Sequence, residues 1–594
     1  MRAGRAGWLG IAIALLAGVS AADDAARTID LATQDDSSLL RVLGSLGDGG
    51  LRGVPVAGGA DVDGDGHRDV AMAAMLASPL GRSGAGEVYL IFGDGTVAGT
   101  LDTATPSPRI LPILGDGVSE ATGAEIWIDD VTGDGLGDLL IGRQNFRPDV
   151  ARPGAGALTI VVGGPALRAL ATAGTALDLR APPMDVAVVT LVGSAAAARL
   201  GIWMRTGDVT GDGVADVAVG ADQESDAAAT HRGAVYLLRG GAELAGSQTL
   251  DLAAFGSETS PFAGRVARLR PPAGASHFHF GATCQVADLD GDGRAEVLAS
   301  AALSRTGAAI PAEDSPPGAP HANGGTTDGT LYIVWNESLG ASWPGALDLA
   351  IDDPGVVATG IDGGDANARF GEEIVAGRDW DGDGAADLYA GDLVGTGAGR
   401  EFQSGLGHVL FDAAALRGLA FDLDAPPPGL VTTTFLGAIA YEIAGDTAID
   451  GDFDGDGRAD LAFSSPHAYP LGRVEAGAMH VFFGRDGAWP AVVDLADGAF
   501  PPASALRVTQ VLGAHGAAQF DQGDVLGYSA AAGDLDRDGR TDLVVNEMLG
   551  NGATSGAVDA GNLIVLPGAL LAPEPDAALL GCIALAIVAL GARR

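Results

Sequence analysis

Asp452-Phe453-Asp454-Gly455-Asp456-Gly457-Arg458-Ala459-Asp460 is the stretch on which the reading of this chain turns. Carboxylates stand at its first, third, fifth and ninth positions and a glycine at its sixth. Six other stretches share the pattern Asp-x-(Asp/Thr)-x-Asp-Gly-x-x-(Asp/Glu), starting at Asp61, Asp130, Asp208, Asp288, Asp379 and Asp534. Successive starts lie 69, 78, 80, 91, 73 and 82 residues apart. Such regular recurrence marks a repeat architecture, in which each unit buries its apolar face only against its neighbours. The 594-residue length fits one large array of this kind.

Other signals keep phase with the loops. A glycine precedes the first Asp by seven residues at Gly123, Gly201, Gly281, Gly445 and Gly527, and by eight at Gly53 and Gly371. Two of these form Phe-Gly pairs, Phe280-Gly281 and Phe370-Gly371. Strand-like runs such as Leu139-Leu140-Ile141 follow the loops, and a second apolar run ends in glycine at Gly93, Gly163, Gly240, Gly484 and Gly568. A hydrophobic-Asp dipeptide precedes every loop: Ile29-Asp30, Leu101-Asp102, Leu177-Asp178, Leu250-Asp251, Leu347-Asp348, Phe421-Asp422 and Val493-Asp494. Short strands between Gly-rich turns predict about four strands per unit. Seven such sheets arranged radially give an all-β, seven-bladed β-propeller, which leaves only short, protected edges. The dipeptide strand at residues 28–31 is expected to complete the seventh blade beside Leu543 to Val545, closing the ring.

In these markers the chain resembles the FG-GAP repeats of the integrin α-subunit propeller, over roughly residues 28–568. The resemblance implies a seven-bladed propeller with calcium in its blade loops. The chain departs from that pattern in weakening the Phe-Gly pair in most copies, and it keeps the acidic loop in all seven units.

The residues themselves also point to calcium, a hard cation that takes six to eight oxygen ligands in a flexible geometry. First-position ligands are Asp61, Asp130, Asp208, Asp288, Asp379, Asp452 and Asp534; third-position ligands are Asp63, Thr132, Thr210, Asp290, Asp381, Asp454 and Asp536. The fifth position supplies Asp65, Asp134, Asp212, Asp292, Asp383, Asp456 and Asp538, and the ninth Asp69, Asp138, Asp216, Glu296, Asp387, Asp460 and Asp542. Seventh-position backbone carbonyls come from His67, Leu136, Val214, Arg294, Ala385, Arg458 and Arg540. Up to seven Ca²⁺ are therefore expected, with the two threonine-bearing loops the weakest because they carry fewer charges. Crowded carboxylates repel one another without a cation, so calcium should add to folding stability. An EF-hand is excluded: its twelfth-position Glu is replaced by Met72, Ile141, Val219, Ala299, Ala390, Phe463 and Val545, and the context is strand.

The ends of the chain carry their own signals. Arg2 and Arg5, the apolar run Trp8 to Val19 and the small residues around Ala21 read as a secretory signal peptide over 1–22. Residues 23–568 hold the seven repeats. Over 569–594, Pro573-Glu574-Pro575, the apolar run Ala577 to Ala592 and Arg593-Arg594 resemble the PEP-CTERM sorting signal of Gram-negative bacteria. That resemblance implies processing by an exosortase, with transient membrane insertion of the tail. The protein is accordingly expected to be exported, to the cell envelope, cell surface or extracellular matrix.

Composition narrows the function. A net charge of −43 repels phosphate backbones, so nucleic acid is not an expected partner. All 34 basic residues are arginine, which removes any P-loop or Schiff-base lysine. Gly81-Arg82-Ser83-Gly84 falls one glycine short of a nucleophile elbow, and Gly154-Ala155-Gly156 leads into a strand rather than a helix. His277 and His279 share one face of a strand, a surface pair rather than a metal site. Cys284 stands alone in the body and reads as a buried thiol. Residues 301–330 form a Pro- and Gly-rich insertion between two strands. No catalytic residue and no organic cofactor are assigned. The expected function is a calcium-binding interaction or adhesion module for a protein or polysaccharide. The alternative is a calcium-dependent polysaccharide-active enzyme such as a lyase.

Overall fold

The computed structural model describes residues 27–572 apart from 46–54, 228, 256–261, 263, 273–277, 302–328, 341–342, 344, 350–355, 364–368, 397–401, 497–505, 519–520 and 553–557. The expected signal peptide, residues 573–594 of the expected sorting tail with Cys582, His277, Gly53 and nearly all of the insertion lie outside the described residues.

Seven sheets make up the fold. In the first blade Val56–Ala60 enters the Asp61 loop, Asp69–Ala74 returns antiparallel, and Glu87–Ile91 and Ile110–Leu114 follow. Every residue of Asp69–Ala74 and Glu87–Ile91 is buried, because both faces of a blade pack on neighbouring blades. Such strands read as continuous apolar runs rather than alternating ones. The first strands contact one another in sequence around the ring, and Leu526–Gly533 of the seventh blade packs beside Val56–Ala60 of the first. These first strands therefore line the axis. The glycines ahead of the loops serve this close packing: Gly201 has φ +85°, and a Cβ there would stand 2.4 Å from the Ala157 carbonyl oxygen of the second blade.

Each sheet holds five strands rather than the expected four. The fifth is the hydrophobic-Asp strand, which pairs in parallel with a fourth strand such as Ile110–Leu114, where Leu177 faces Ile113. The chain leaves each blade between its third and fourth strands to lay this edge strand on the preceding blade. The expected closure therefore needs correction. Arg27–Asp30 pairs with Val508–Leu512 in the sixth blade, not with the seventh. The seventh blade is completed by Leu40–Leu43, antiparallel to Asn562–Leu566, with Gly99–Asp102 as its edge. The N-terminal segment does close the ring, but with the strand after the dipeptide. The fourth strands carry no phased marker, and a two-residue ladder signal does not reveal which sheet it joins.

The aspartate of the dipeptide has a structural task. Arg82 donates to both carboxylate oxygens of Asp178 at 2.8 and 2.9 Å, and Arg152 to both of Asp251 at 2.6 and 2.8 Å. Arg473 reaches Asp30 at 2.8 Å and Arg232 reaches Asp348 at 3.3 Å. These arginines lie between the second and third strands of the blade that receives the edge strand. Paired forks of this kind fix geometry as well as charge. Gly81-Arg82-Ser83-Gly84 and the stretch before Gly154 are thus fastening loops.

Candidate metal centres

Each acidic loop joins the first strand of a blade to its second, so all seven lie on one rim of the ring. The loop backbone folds on its own carboxylates. In the first loop the N–H groups of Gly64 and Gly66 donate to the two oxygens of Asp61 at 2.7 Å each, that of Asp65 to Asp63 at 3.0 Å, and that of His67 to Asp65 at 2.8 Å. In the second loop Gly133 and Gly135 likewise donate to Asp130 at 2.7 Å, and the Asp134 N–H also turns to Asp130, at 3.2 Å. The sixth-position glycine turns the chain with positive φ throughout, for example +89° at Gly66 and +88° at Gly457. Only glycine adopts such a conformation cheaply.

The ninth-position carboxylate does more than the sequence reading assigned to it. Asp460 accepts the Phe453 N–H at 2.7 Å and the Gly484 N–H at 2.8 Å. Asp69 does the same with Val62 and Gly93, at 2.7 and 2.8 Å. The residue thus clamps the loop to the end of the third strand. This explains the glycine that ends the second apolar run: a Cβ at Gly93 would stand 2.2 Å from the Arg68 carbonyl oxygen. Where the fourth blade carries the longer Glu296, Asn336 replaces the glycine and its side-chain amide donates to Glu296 at 2.9 Å. In the fifth blade Asp412, at φ +57°, donates its N–H to Asp387 at 3.1 Å. Burial pushes these groups up, Asp69 and Asp387 to about 7 and Asp460 to about 8, with the other carboxylates of each loop adding to the rise. Each oxygen keeps a second lone pair for a cation.

The sites divide into two kinds. Ligand oxygens of Asp61, Asp63 and Asp69 lie within 4.8 Å of one another, as do those of Asp288, Asp290 and Glu296, of Asp379, Asp381 and Asp387, and of Asp452, Asp454 and Asp460. In the last loop Asp534, Asp536 and Asp538 converge to the same limit, without Asp542. Among the described residues, the Asp130 and Asp208 loops form no such trio. There Thr132 and Thr210 place a hydroxyl 3.4 Å from the first-position carboxylate. The all-oxygen donor set of the five convergent loops fits a hard divalent cation of the calcium type. In the last loop the fourth position holds Arg537 at φ +64° instead of glycine, and the buried Asp534 Oδ1 has no hydrogen-bond partner.

Arginines that sequence spacing did not connect to the loops also reach them. Arg168, on the helix Pro165–Thr172, pairs with Asp63 and lies 2.6 Å from Asp65. Arg507 lies 2.6 Å from Asp454, and Arg417 lies 2.7 Å from Asp290. Each sits more than 50 residues from its partner, which is why no local pattern exposes it.

Three comparisons with known proteins can be set against this geometry. A family model described as FG-GAP repeat matches residues 55–91, 201–238, 448–482 and 526–566. Each match runs from a first strand through the acidic loop to a third strand. The chain is a seven-bladed β-propeller that carries FG-GAP repeats. Phosphatidylinositol-glycan-specific phospholipase D of Mus musculus is 30% identical over 155 residues, 26% of this chain and 16% of that protein. The chain therefore spans about a sixth of that relative's length. A solved structure, Bacillus licheniformis rhamnogalacturonan lyase PL11, shares 14% identity over 92% of this chain and 91% of the other, with a TM-score of 0.26. That score is too low to bear on activity.

Proposed function

We propose that this protein is an exported propeller that binds calcium at one rim and acts as an interaction module for a protein or polysaccharide at the cell surface or in the matrix, without catalysis of its own. The observation that carries this reading is the convergence of three carboxylate ligands within 4.8 Å in five loops of that rim. Calcium bound there would offset repulsion among the acidic groups and stiffen the loops, and a rigid scaffold that presents loops is a common way to build a binding surface. The net charge of −43 favours a partner that is not itself a polyanion. Loss of the N-terminal apolar segment and exosortase processing of the tail complete the proposal for how the propeller reaches the surface.

Calorimetric titration with calcium, followed by a glycan array probed with and without calcium, tests the reading. Calcium uptake with calcium-dependent capture of a glycan is the expected result. Failure to take up calcium would overturn the metal assignment. Turnover of a captured polysaccharide would move the protein to the enzyme class.

A further inference from the structure

At the opposite rim from the acidic loops, the ring surrounds an axial cavity of about 520 Å³. Arg199, His279, Arg369 and Asp446 stand just before the first strands of the third to sixth blades, and all line it. An adjoining compartment of about 240 Å³ reaches deeper along the axis. The basic groups of this region are already engaged. Arg205 pairs with Glu125 at 2.8 Å and lies 4.4 and 4.6 Å from the ring centres of Trp127 and Trp203. Arg199 lies 3.5 Å from Asp222, which also meets His279 at 3.0 Å, and Arg369 lies 3.2 Å from one oxygen of Glu372. Among the described residues, Glu373 and Asp446 have no ion-pair partner, although Glu373 is only 5% exposed.

Four enclosed polar atoms on residues that line the cavity have no hydrogen-bond partner: Asp222 Oδ1, Glu372 Oε2, Asp446 Oδ2 and Trp203 Nε1. Asp222 is itself only 3% exposed. Enclosed polar atoms are almost always satisfied, so four gathered around one cavity point to an occupant. Three of the four are acceptors, and the occupant must therefore chiefly donate hydrogen bonds. Two carboxyl groups with no cation at ion-pair distance, Glu373 feeling only the more distant Arg205, ask for positive charge. Trp203 and Tyr528 line the same space, which suits a cation with an apolar stem. Among the described residues these carboxylates form no trio within 4.8 Å, unlike those of the loops, so the wall is not shaped for a bare divalent ion.

We propose that the axial cavity binds a small organic cation bearing primary ammonium groups, with Glu373 and Asp446 as its carboxylate partners and Trp203 and Tyr528 as its walls. Burial and the neighbouring Glu372 push Asp446 up to about 8, and burial carries Glu373 well above the usual carboxylate range. An ammonium group set beside them supplies the charge that the enclosed wall lacks. The site is separate from the acidic loops, so it stands or falls independently of the calcium reading.

Putrescine is the probe, titrated by calorimetry into the full chain held in calcium, with galactose as the neutral comparison. Putrescine should bind one-to-one and galactose should not. Glu373→Gln should weaken putrescine at least tenfold and leave the calcium titration unchanged. Its unfolding temperature should not fall, because the change removes a buried carboxyl with no cation at ion-pair distance. Should that variant fail to fold, Asp446→Asn gives the same reading. No putrescine binding would overturn the proposal, and so would undiminished binding in the variants, which would show only general attraction to an acidic surface. Tighter binding of galactose than of putrescine would overturn it as well.

Discussion

The loops that begin at Asp452 and at Asp130 follow the same turn with different charge. Both fold their first-position carboxylate onto the sixth-position N–H, Gly457 at 2.9 Å and Gly135 at 2.7 Å. Both clamp the third strand through the ninth position, with Asp138 accepting the Gly163 N–H at 2.9 Å just as Asp460 accepts that of Gly484. They part at the third position. Asp454 completes a convergent trio with Asp452 and Asp460, whereas Thr132 leaves the second loop without one. Loop shape is therefore set by hydrogen bonds that need no ion, and the convergence of carboxylates by one side chain laid over that shape.

The clamp should be common to both loops and give the largest effect. Asp460→Ala strands two N–H groups and Asp138→Ala three, and each should cost about 2–5 kcal/mol in urea unfolding with calcium chelated. If Asp138→Ala proves nearly neutral while Asp460→Ala does not, the two loops do not share one backbone design. Removing charge from the stronger site comes next. Asp454→Thr should weaken calcium there by about tenfold or more while changing chelated-state stability little, since its partner Arg507 is partly exposed. The reverse exchange, Thr132→Asp, should strengthen the second site by several-fold to about tenfold. An unchanged isotherm would show that the third position does not rank the sites. The smallest effect concerns the arginine on the first loop. Arg168→Gln frees Asp63 and Asp65 of a competing cation and should tighten calcium there about two- to threefold, with the gain shrinking as salt rises. A loss of affinity would mean that Arg168 instead holds the ligands in place.

Much of this was legible in the amino-acid order. The loops, their turn glycines, the repeat count and the distinction between aspartate and threonine at the third position all come from patterns within nine residues. A loop that folds on its own side chains is decided locally, so its sequence announces it. The dual task of the ninth carboxylate was not visible, because its second partner stands 24 residues on for both Asp69 and Asp460.

What the tertiary structure alone decided lies at longer range. A dipeptide strand such as Leu177-Asp178 looks the same whichever sheet receives it, and only packing shows that it edges the preceding blade and is held there by Arg82, 96 residues away. Ring closure by Leu40–Leu43 depends on an antiparallel register with Asn562–Leu566 at the far end of the chain. The axial cavity gathers Glu125, Trp203, Glu373, Asp446 and Tyr528 from five blades. No periodicity could have brought those residues together, because their proximity is a property of the closed ring and not of any one repeat.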